Sequence, residues 1–407
     1  MPVAFIAGTA ASSVPAVPRF CKVLIAAATL GLVAACGGNG AASPTACASG
    51  QVALEGQCAD IAQTAAALRT IVTDSMREQG LRAAIVDISV GGVPVLSQAW
   101  GESGDGQAAS LDMHWRNGAI AIAYLGTVML QLQDQGVLSV DDKLSKWLPQ
   151  LPQADRITLA MLANNSSGYA DYVGFLPLMD DVQRQWTQDE LLAGGLAQPM
   201  KCAPGTCFAY AHTNYVILGR VLSMAGGKPV AELIRSGILN PLGLRDTRSE
   251  STPAIQAPVL RAFTSERGSY EESTGWNPSW TLAKGAIMTT NIADARRSAE
   301  AIGSGSLLSA RSYAQMLEPR TARLPSAPGM PAMSERGYYG LGMVVRNAWL
   351  VQNPMFFGYA GVMAYLPAQK IAIAVTSTMG PASPDRNSAD LLFGRLAQRL
   401  APSQPPR

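Results

Sequence analysis

Histidine is scarce in this chain of 407 residues, which contains only His114 and His212. Neither lies at zinc-ligand spacing from a pair of cysteines, so we expect no metal site, and no motif suggests a cofactor. An excess of charge is also missing, because 31 Lys and Arg nearly balance 29 Asp and Glu. Without a basic patch that interleaves aromatic residues, we expect no nucleic-acid partner.

Other absences narrow the fold class. The sequence shows no internal repeat and no long charge run or low-complexity block, which indicates one large folded unit. It lacks a G-x-S-x-G elbow, which argues against the serine hydrolases built on that turn. The apolar run at residues 23–35 is shorter than the roughly 20 residues that cross a bilayer.

That apolar run has the features of an export signal. Arg19 and Lys22 precede it, and it ends in the small residues before Cys36. The sequence Val-Ala-Ala-Cys-Gly at 33–37 resembles a bacterial lipobox, which implies that residues 1–35 are removed and Cys36 is lipidated. The resemblance places the protein on the bacterial cell envelope, facing the periplasm or the surface, with its lipid anchor in the membrane. A plain signal peptide, cleaved elsewhere, is the alternative.

Four further cysteines form two close pairs, Cys47 with Cys58 and Cys202 with Cys207. In an oxidising compartment this spacing predicts two local disulfides. Residues 36–59 are small, polar and rich in glycine, so we predict a flexible tether that leads into a small disulfide loop.

Hydrophobic periodicity predicts the main elements. We expect a helix from Asp60 to about Gln79 and strands at 83–90 and 93–100, joined at Gly91-Gly92. Near the C-terminus, alternating patterns predict strands at 338–346, 356–366 and 370–378 and a helix at 388–401. Between these regions, residues 114–144 predict one largely buried helix, entered through Gly118 and closed by Gly136.

The stretch at 114–144 resembles the active-site helix of the β-lactamase-related serine hydrolases, which include class C β-lactamases, penicillin-binding DD-peptidases and esterases. The residues in register are Trp115, Arg116, Asn117, Gly118, Tyr124, Gln131, Leu132, Gly136, Leu138, Asp141 and Asp142. In this family a serine attacks the substrate and a lysine three residues later helps to take its proton. Ala119 stands at the serine position and Ile122 at the lysine position. Neither side chain can perform those steps.

Further segments resemble the same family. Residues 204–219 match a motif whose tyrosine acts as a general base or proton relay, and Tyr210 is retained there, while His212 replaces an asparagine that touches substrate. Tyr210 is as easily structural as catalytic, and His212 is either a titrating group or a hydrogen-bonded one. At 358–361 the resemblance implies the strand edge that pairs with substrate, with Tyr359 replacing a basic or histidine residue and Gly361 retained.

Two other segments contain hydroxyl side chains that could replace the family's nucleophile. Ser166 and Ser167 follow Asn165 within the resembling segment at 157–172, with no lysine or histidine nearby in sequence. Thr281 and Lys284 spell T-x-x-K outside the nucleophile's helix, and we interpret this as coincidence.

The resemblance implies an α/β (α+β) fold of the β-lactamase/transpeptidase type, with an antiparallel sheet flanked by helices and a mostly helical subdomain. We expect this domain at 60–402, its sheet part at 60–110 and 282–402 and its helical part at 111–281. The leading hypothesis is a catalytically inactive binding or scaffolding lipoprotein with a small-molecule or peptidoglycan-like ligand in the cleft. The alternatives are an active serine hydrolase with a displaced nucleophile and a purely structural envelope protein.

Overall fold

The predicted N-terminal helix and hairpin are present in the computed structural model, which describes residues 47–406. The helix α1 begins after Asp60, whose side chain accepts a hydrogen bond from the Gln63 amide. It ends at Gly80, whose φ of 62° is the left-handed conformation that glycine adopts easily. The Gly91-Gly92 turn also has positive φ angles, 58° and 80°, which suit a tight hairpin.

The strands are β1 (Gln51–Leu54), β2 (Gln57–Asp60), β3 (Leu81–Val90), β4 (Val93–Gly104), β5 (Gln107–Ala108), β6 (Trp115–Arg116), β7 (Arg248–Ser249), β8 (Phe263–Thr264), β9 (Glu271–Glu272), β10 (Met288–Thr290), β11 (Gly337–Tyr339), β12 (Val344–Arg346), β13 (Trp349–Gln352), β14 (Met355–Phe356), β15 (Tyr359–Leu366) and β16 (Ile371–Met379). The α-helices are α1 (Ile61–Gln79), α2 (Ile120–Asp134), α3 (Leu159–Ala163), α4 (Gln188–Leu196), α5 (His212–Gly226), α6 (Val230–Ile234), α7 (Asn240–Leu242), α8 (Ile292–Gly303), α9 (Ala310–Met316) and α10 (Ser388–Leu400). Short 3-10 turns occur at Leu144–Lys146 and Tyr172–Gly174, and a π turn at Arg235–Leu239.

The main sheet is antiparallel, with strand order β11-β12-β13-β15-β16-β3-β4-β5 and with β14 also paired to β15. Alternate residues of β16 serve two cores: Ile371, Ile373 and Val375 pack with α1 and α10, and Ala372 and Ala374 pack on the opposite side. The sheet therefore has both faces covered, which explains why its central strands read as nearly continuous apolar runs. The predicted α/β fold with an antiparallel sheet and flanking helices is confirmed.

The helical region between β6 and β10 packs around α2. Nearly every residue of α2 is buried. Gly126 allows the β11–β12 connection to approach this helix, because a Cβ atom there would lie 2.3 Å from the Leu341 carbonyl oxygen. This close contact places α2 and the β11–β12 connection against one another.

Two of the predicted C-terminal strands are wrong in detail. Residues 356–366 form a turn followed by a strand, because Phe357 and Gly358 have φ angles of 53° and 77° and reverse the chain. Residues 338–346 are divided between β11 and β12 by an irregular segment at 340–343. The sequence analysis also missed β13, which begins at Trp349.

Both predicted disulfides, Cys47–Cys58 and Cys202–Cys207, are present. Every helix of the described chain is too short or too polar to cross a bilayer. The predicted signal at 1–35 and the lipidated Cys36 lie outside the described residues.

Candidate functional site

Ala119 lies at the N-terminus of α2 and lines a cavity of about 830 Å³. The position to which the resemblance assigns the family nucleophile is thus open to a ligand, although a methyl group cannot attack a carbonyl carbon. Ile122 is one turn further along α2, is fully buried and does not line the cavity. The family resemblance implies that both residues line the cleft, but in the structure only Ala119 does so. Ile122 packs in the apolar core, because burial of its hydrocarbon side chain is favourable.

The walls of the cavity are mostly apolar. Six aromatic side chains contribute to them, namely Phe208, Tyr210, Trp280, Tyr338, Tyr339 and Phe356. Methionine side chains come from two segments and are those of Met330, Met333 and Met355. Large aromatic faces and adaptable thioethers suit an apolar or aromatic ligand.

His212 lines the same cavity and is held by Asp171. Its Nδ1 lies 3.0 Å from Asp171 Oδ2, and its backbone amide donates to Asp171 Oδ1 at 3.2 Å. Asp171 Oδ1 also accepts from the Val173 amide at 3.2 Å. The carboxylate lies at the N-terminus of α5, where the helix dipole favours negative charge. These contacts fix the orientation of the His212 ring and leave Nε2 as the ring nitrogen that does not contact Asp171.

Tyr210 lies beside His212, with 5.2 Å between the ring centroids in an edge-to-face arrangement. Burial raises the pKa of the Tyr210 phenol well above 10, and the nearby Tyr339 and Asp171 add to the increase. Such a phenol stays protonated at neutral pH, so it cannot take a proton from a nucleophile. Tyr210 contributes an aromatic wall and a hydroxyl group.

The alternative nucleophiles have their hydroxyl groups engaged. Ser166 Oγ donates to Asn164 Oδ1 at 2.7 Å, and Ser167 Oγ donates to Asn214 Oδ1 at 2.6 Å. Both serines are buried and lie outside the cavity lining. Because a buried hydroxyl that moves would leave these amides unpaired, the two serines stabilise the turn at 164–168.

The T-x-x-K sequence forms no catalytic pair. Thr281 lines the cavity, but its hydroxyl donates to the Pro278 carbonyl at 2.8 Å. Lys284 is exposed and absent from the cavity wall. The segment is not helical, so the spacing of three residues does not bring the two side chains to one face.

Tyr359 and Gly361 differ from the expectation that they line the cleft. Tyr359 is buried, and its hydroxyl donates to the Leu260 carbonyl at 2.6 Å. Gly361 is covered, because a Cβ atom there would lie 2.7 Å from the Trp115 ring and 3.3 Å from Pro354. Neither residue lines the cavity.

The strand edge at Gly361 is also occupied. Its amide donates to the Pro354 carbonyl at 2.9 Å, and β14 continues this pairing along β15. The Phe356 side chain then lies against Gly118, where a Cβ atom would be 2.6 Å from the ring. This chain therefore pairs with itself at the edge where the family resemblance implies a substrate.

Arg346 is the one lysine or arginine in the described lining of the cavity. Its guanidinium lies 2.5 Å from Asp390 Oδ1, and both groups are about one-fifth exposed. Since the two charges neutralise each other, Arg346 presents no unpaired positive charge to the cavity. Among residues 47–406, no group of three or more His, Cys, Asp or Glu side chains is placed to hold a metal ion.

The sequence analysis missed Asp171, Trp280 and the segment at 330–333. Asp171 had a usable signal, because it belongs to the resembling segment at 157–172. Trp280 and the segment at 330–333 reach the cavity through irregular backbone, for which no periodic pattern exists.

Comparisons with known proteins agree with this architecture. The D-amino acid amidase from Ochrobactrum anthropi SV3, solved with L-phenylalanine amide, superposes with a TM-score of 0.72 at 18% identity. The match covers 83% of this chain and 97% of the amidase chain. At that identity the likeness concerns the fold.

Sequence relatives include penicillin-binding protein 4 from Amycolatopsis lactamdurans, which is 27% identical over 44% of this chain and 46% of its own length. The D-alanyl-D-alanine-carboxypeptidase/endopeptidase AmpH from Escherichia coli is 24% identical over 72% of this chain and 78% of its own. The chain spans half or less of the length of the first relatives it matches. The family model described as Beta-lactamase matches residues 68–395, well over half of the chain. The chain belongs to the β-lactamase family of serine hydrolase-related proteins.

Proposed function

We propose that this protein is a ligand-binding member of the β-lactamase family that forms no acyl-enzyme. The observation that carries the proposal is the pair Ala119 and Ile122, at the positions of the family's nucleophile and lysine. Ala119 faces the cavity without a reactive atom, and Ile122 is buried among apolar side chains. At these two positions, therefore, one residue lacks the attacking oxygen and the other lacks the base that would activate it.

The cavity itself supports a binding role. A volume of about 830 Å³ lies within the range of small-molecule sites, and its walls are aromatic and apolar with a few polar groups. A protein that served only as a structural element would gain stability by filling such a space, since each unfilled void forgoes packing contacts. The rival function is an active serine hydrolase with a displaced nucleophile, for which Ser166, Ser167 and Thr281 are the candidates within or beside the cavity.

A turnover assay distinguishes the proposed function from its rival. Soluble protein that begins after Cys36 is incubated with a chromogenic ester and with a chromogenic cephalosporin, beside the AmpH protein as an active relative. We expect no hydrolysis above the buffer rate. Turnover that persists after repurification and disappears in Ser166→Ala, Ser167→Ala or Thr281→Ala would establish the displaced nucleophile instead.

We further propose that the protein is exported and tethered to the cell envelope through a lipidated Cys36, which follows the small residues Ala34 and Ala35. Acyl chains would hold the folded domain at a membrane surface without a spanning helix. Growth of a bacterial host with an alkyne-bearing fatty acid should label the full chain, and Cys36→Ala should remove the label. Equal labelling of both chains would refute the anchor.

A further inference from the structure

In the cavity wall, the surroundings of His212 set the direction in which its ring can form hydrogen bonds. Asp171 Oδ1 accepts from the amides of His212 and Val173, which leaves Oδ2 facing His212 Nδ1 at 3.0 Å. A carboxylate offers only acceptors, so the proton in this contact lies on Nδ1. When the ring is neutral, Nε2 therefore carries the lone pair, and no other atom of residues 47–406 hydrogen-bonds to it.

The ring cannot easily turn away from this arrangement. Tyr172, Tyr210 and Trp280 surround it, with ring centroids 6.0, 5.2 and 6.1 Å from that of His212. The His212 side chain is about one-quarter exposed, so a ligand in the cavity can reach it. The site thus presents a fixed hydrogen-bond acceptor among aromatic walls.

The charges around the cavity disfavour anions. Asp171 lies directly behind His212, and the basic side chain of the cavity wall, Arg346, is paired with Asp390 at 2.5 Å. A ligand carboxylate near Nε2 of the neutral ring would meet a lone pair and the negative charge of Asp171, and the paired Arg346 would not compensate for its lost hydration.

From these contacts we infer that the cavity binds an aromatic or alkyl-aromatic ligand that carries a neutral hydrogen-bond donor, such as a hydroxyl group, and rejects the matching carboxylate. The donor pairs with His212 Nε2, and the apolar body lies against Trp280, Phe356 and the methionine side chains. This inference rests on the proposed binding function and adds the chemical class of the ligand.

Three probes with similar apolar bodies test the inference: phenylbutanol, phenylpentanone and phenylbutyrate. Titration calorimetry at pH 8 should show the alcohol binding about five-fold tighter than the ketone, the effect of one hydrogen bond. The alcohol should bind about tenfold or more tighter than the carboxylate. A carboxylate that binds as tightly as the alcohol overturns the inference, as does the failure of all three probes to bind.

Asp171→Asn separates hydrogen-bond direction from mere shape. The Asn oxygen can keep the two backbone contacts, so its NH₂ group faces His212 Nδ1 and donates to it. The ring proton then moves to Nε2, which becomes a donor. We expect the ratio of alcohol to ketone affinity to fall to about one and phenylbutyrate binding to strengthen.

Asp189→Asn is the matched control, because Asp189 is an exposed partner of Arg220 outside the cavity wall. It should leave the ratio of alcohol to ketone affinity unchanged. An unchanged ratio in Asp171→Asn, with the variant folded by circular dichroism, would overturn the assigned direction. Hydrolysis of the chromogenic substrates would refute the proposed function separately, because it does not depend on which probe binds.

Discussion

In our proposal, Ala119 stands at the position of the family's nucleophile, which a single added oxygen atom would restore. The two groups that the family resemblance would make its base cannot take the proton, since Ile122 is apolar and burial raises the pKa of the Tyr210 phenol. Chemistry at this site therefore depends on a pair of residues, and restoring one of them is not enough.

Ala119→Ser alone should remain unlabelled by a fluorophosphonate for this reason. The substitution adds one oxygen at the cavity surface and should leave the free energy of unfolding within about 0.5 kcal/mol. Gel fluorescence with a tagged probe provides the measurement, and the AmpH protein is the positive control. Strong labelling of Ala119→Ser would mean that His212 or Tyr210 already acts as a base.

Ile122→Lys should be strongly destabilising, because the Ile122 side chain is fully buried in an apolar cluster and a lysine there would lose its hydration. We expect a loss of about 3 kcal/mol or more in the free energy of unfolding. Ile122→Met, which conserves volume, should cost less than about 1.5 kcal/mol. Urea denaturation of both variants checks the difference, and equal stability would show that this part of α2 still tolerates a charge.

Ala348 illustrates backbone strain at a single residue. It lies in the β12–β13 turn with a φ of 73°, a conformation unfavourable for a residue with a Cβ atom. Ala348→Gly should raise the free energy of unfolding by about 0.5–1 kcal/mol, whereas Ala66→Gly, at an exposed position inside α1, should lower it by about 1 kcal/mol. Thermal unfolding of the two variants should therefore shift in opposite directions.

At the scale of elements, the long segments were predictable and the pairing around the site was not. The bounds of α1, β3 and α10 follow from periodicity, caps and turn glycines, which are local signals. The turn at Phe357-Gly358 was missed because a glycine after two aromatic residues also fits a continuous strand. Tyr359 was therefore placed in the cleft, although the pairing of β14 with β15 and the contact with Leu260 bury it.

The disulfide Cys202–Cys207 holds one side of the cavity. Cys207 packs with Ala327 and near Met330, and the Ala327 amide donates to the Phe208 carbonyl. The segment at 325–333 thus rests on the disulfide loop and contributes Met330 and Met333 to the cavity wall.

Replacing Cys202 and Cys207 by serine should lower the free energy of unfolding by about 2 kcal/mol, as expected for a loop of this length. It should also speed amide hydrogen exchange at 325–333 and weaken probe binding. The matched control, Cys47→Ser with Cys58→Ser, removes the other disulfide, whose cysteines do not line the cavity. That control should reduce stability and leave probe affinity unchanged; a loss of affinity in both would contradict the local role.

At the scale of the whole molecule, the chain has the fold of the β-lactamase family, while our proposal is that it lacks the family's reacting groups. Family membership was predictable because fold-level motifs are spread over much of the chain, and residues 68–395 carry the family match. The ligand class was not predictable, because it depends on how Asp171 and His212 meet across 41 positions in sequence. Fold and chemistry thus separate in this protein.

Intact mass spectrometry tests the central claim most directly. Soluble protein that begins after Cys36 is incubated with a fluorophosphonate and, separately, with a penicillin, beside an active relative. The account predicts an unchanged mass for this protein and a stoichiometric adduct on the relative. A stoichiometric adduct on this protein would contradict the account, and peptide mapping would identify the residue that replaced the missing serine at position 119.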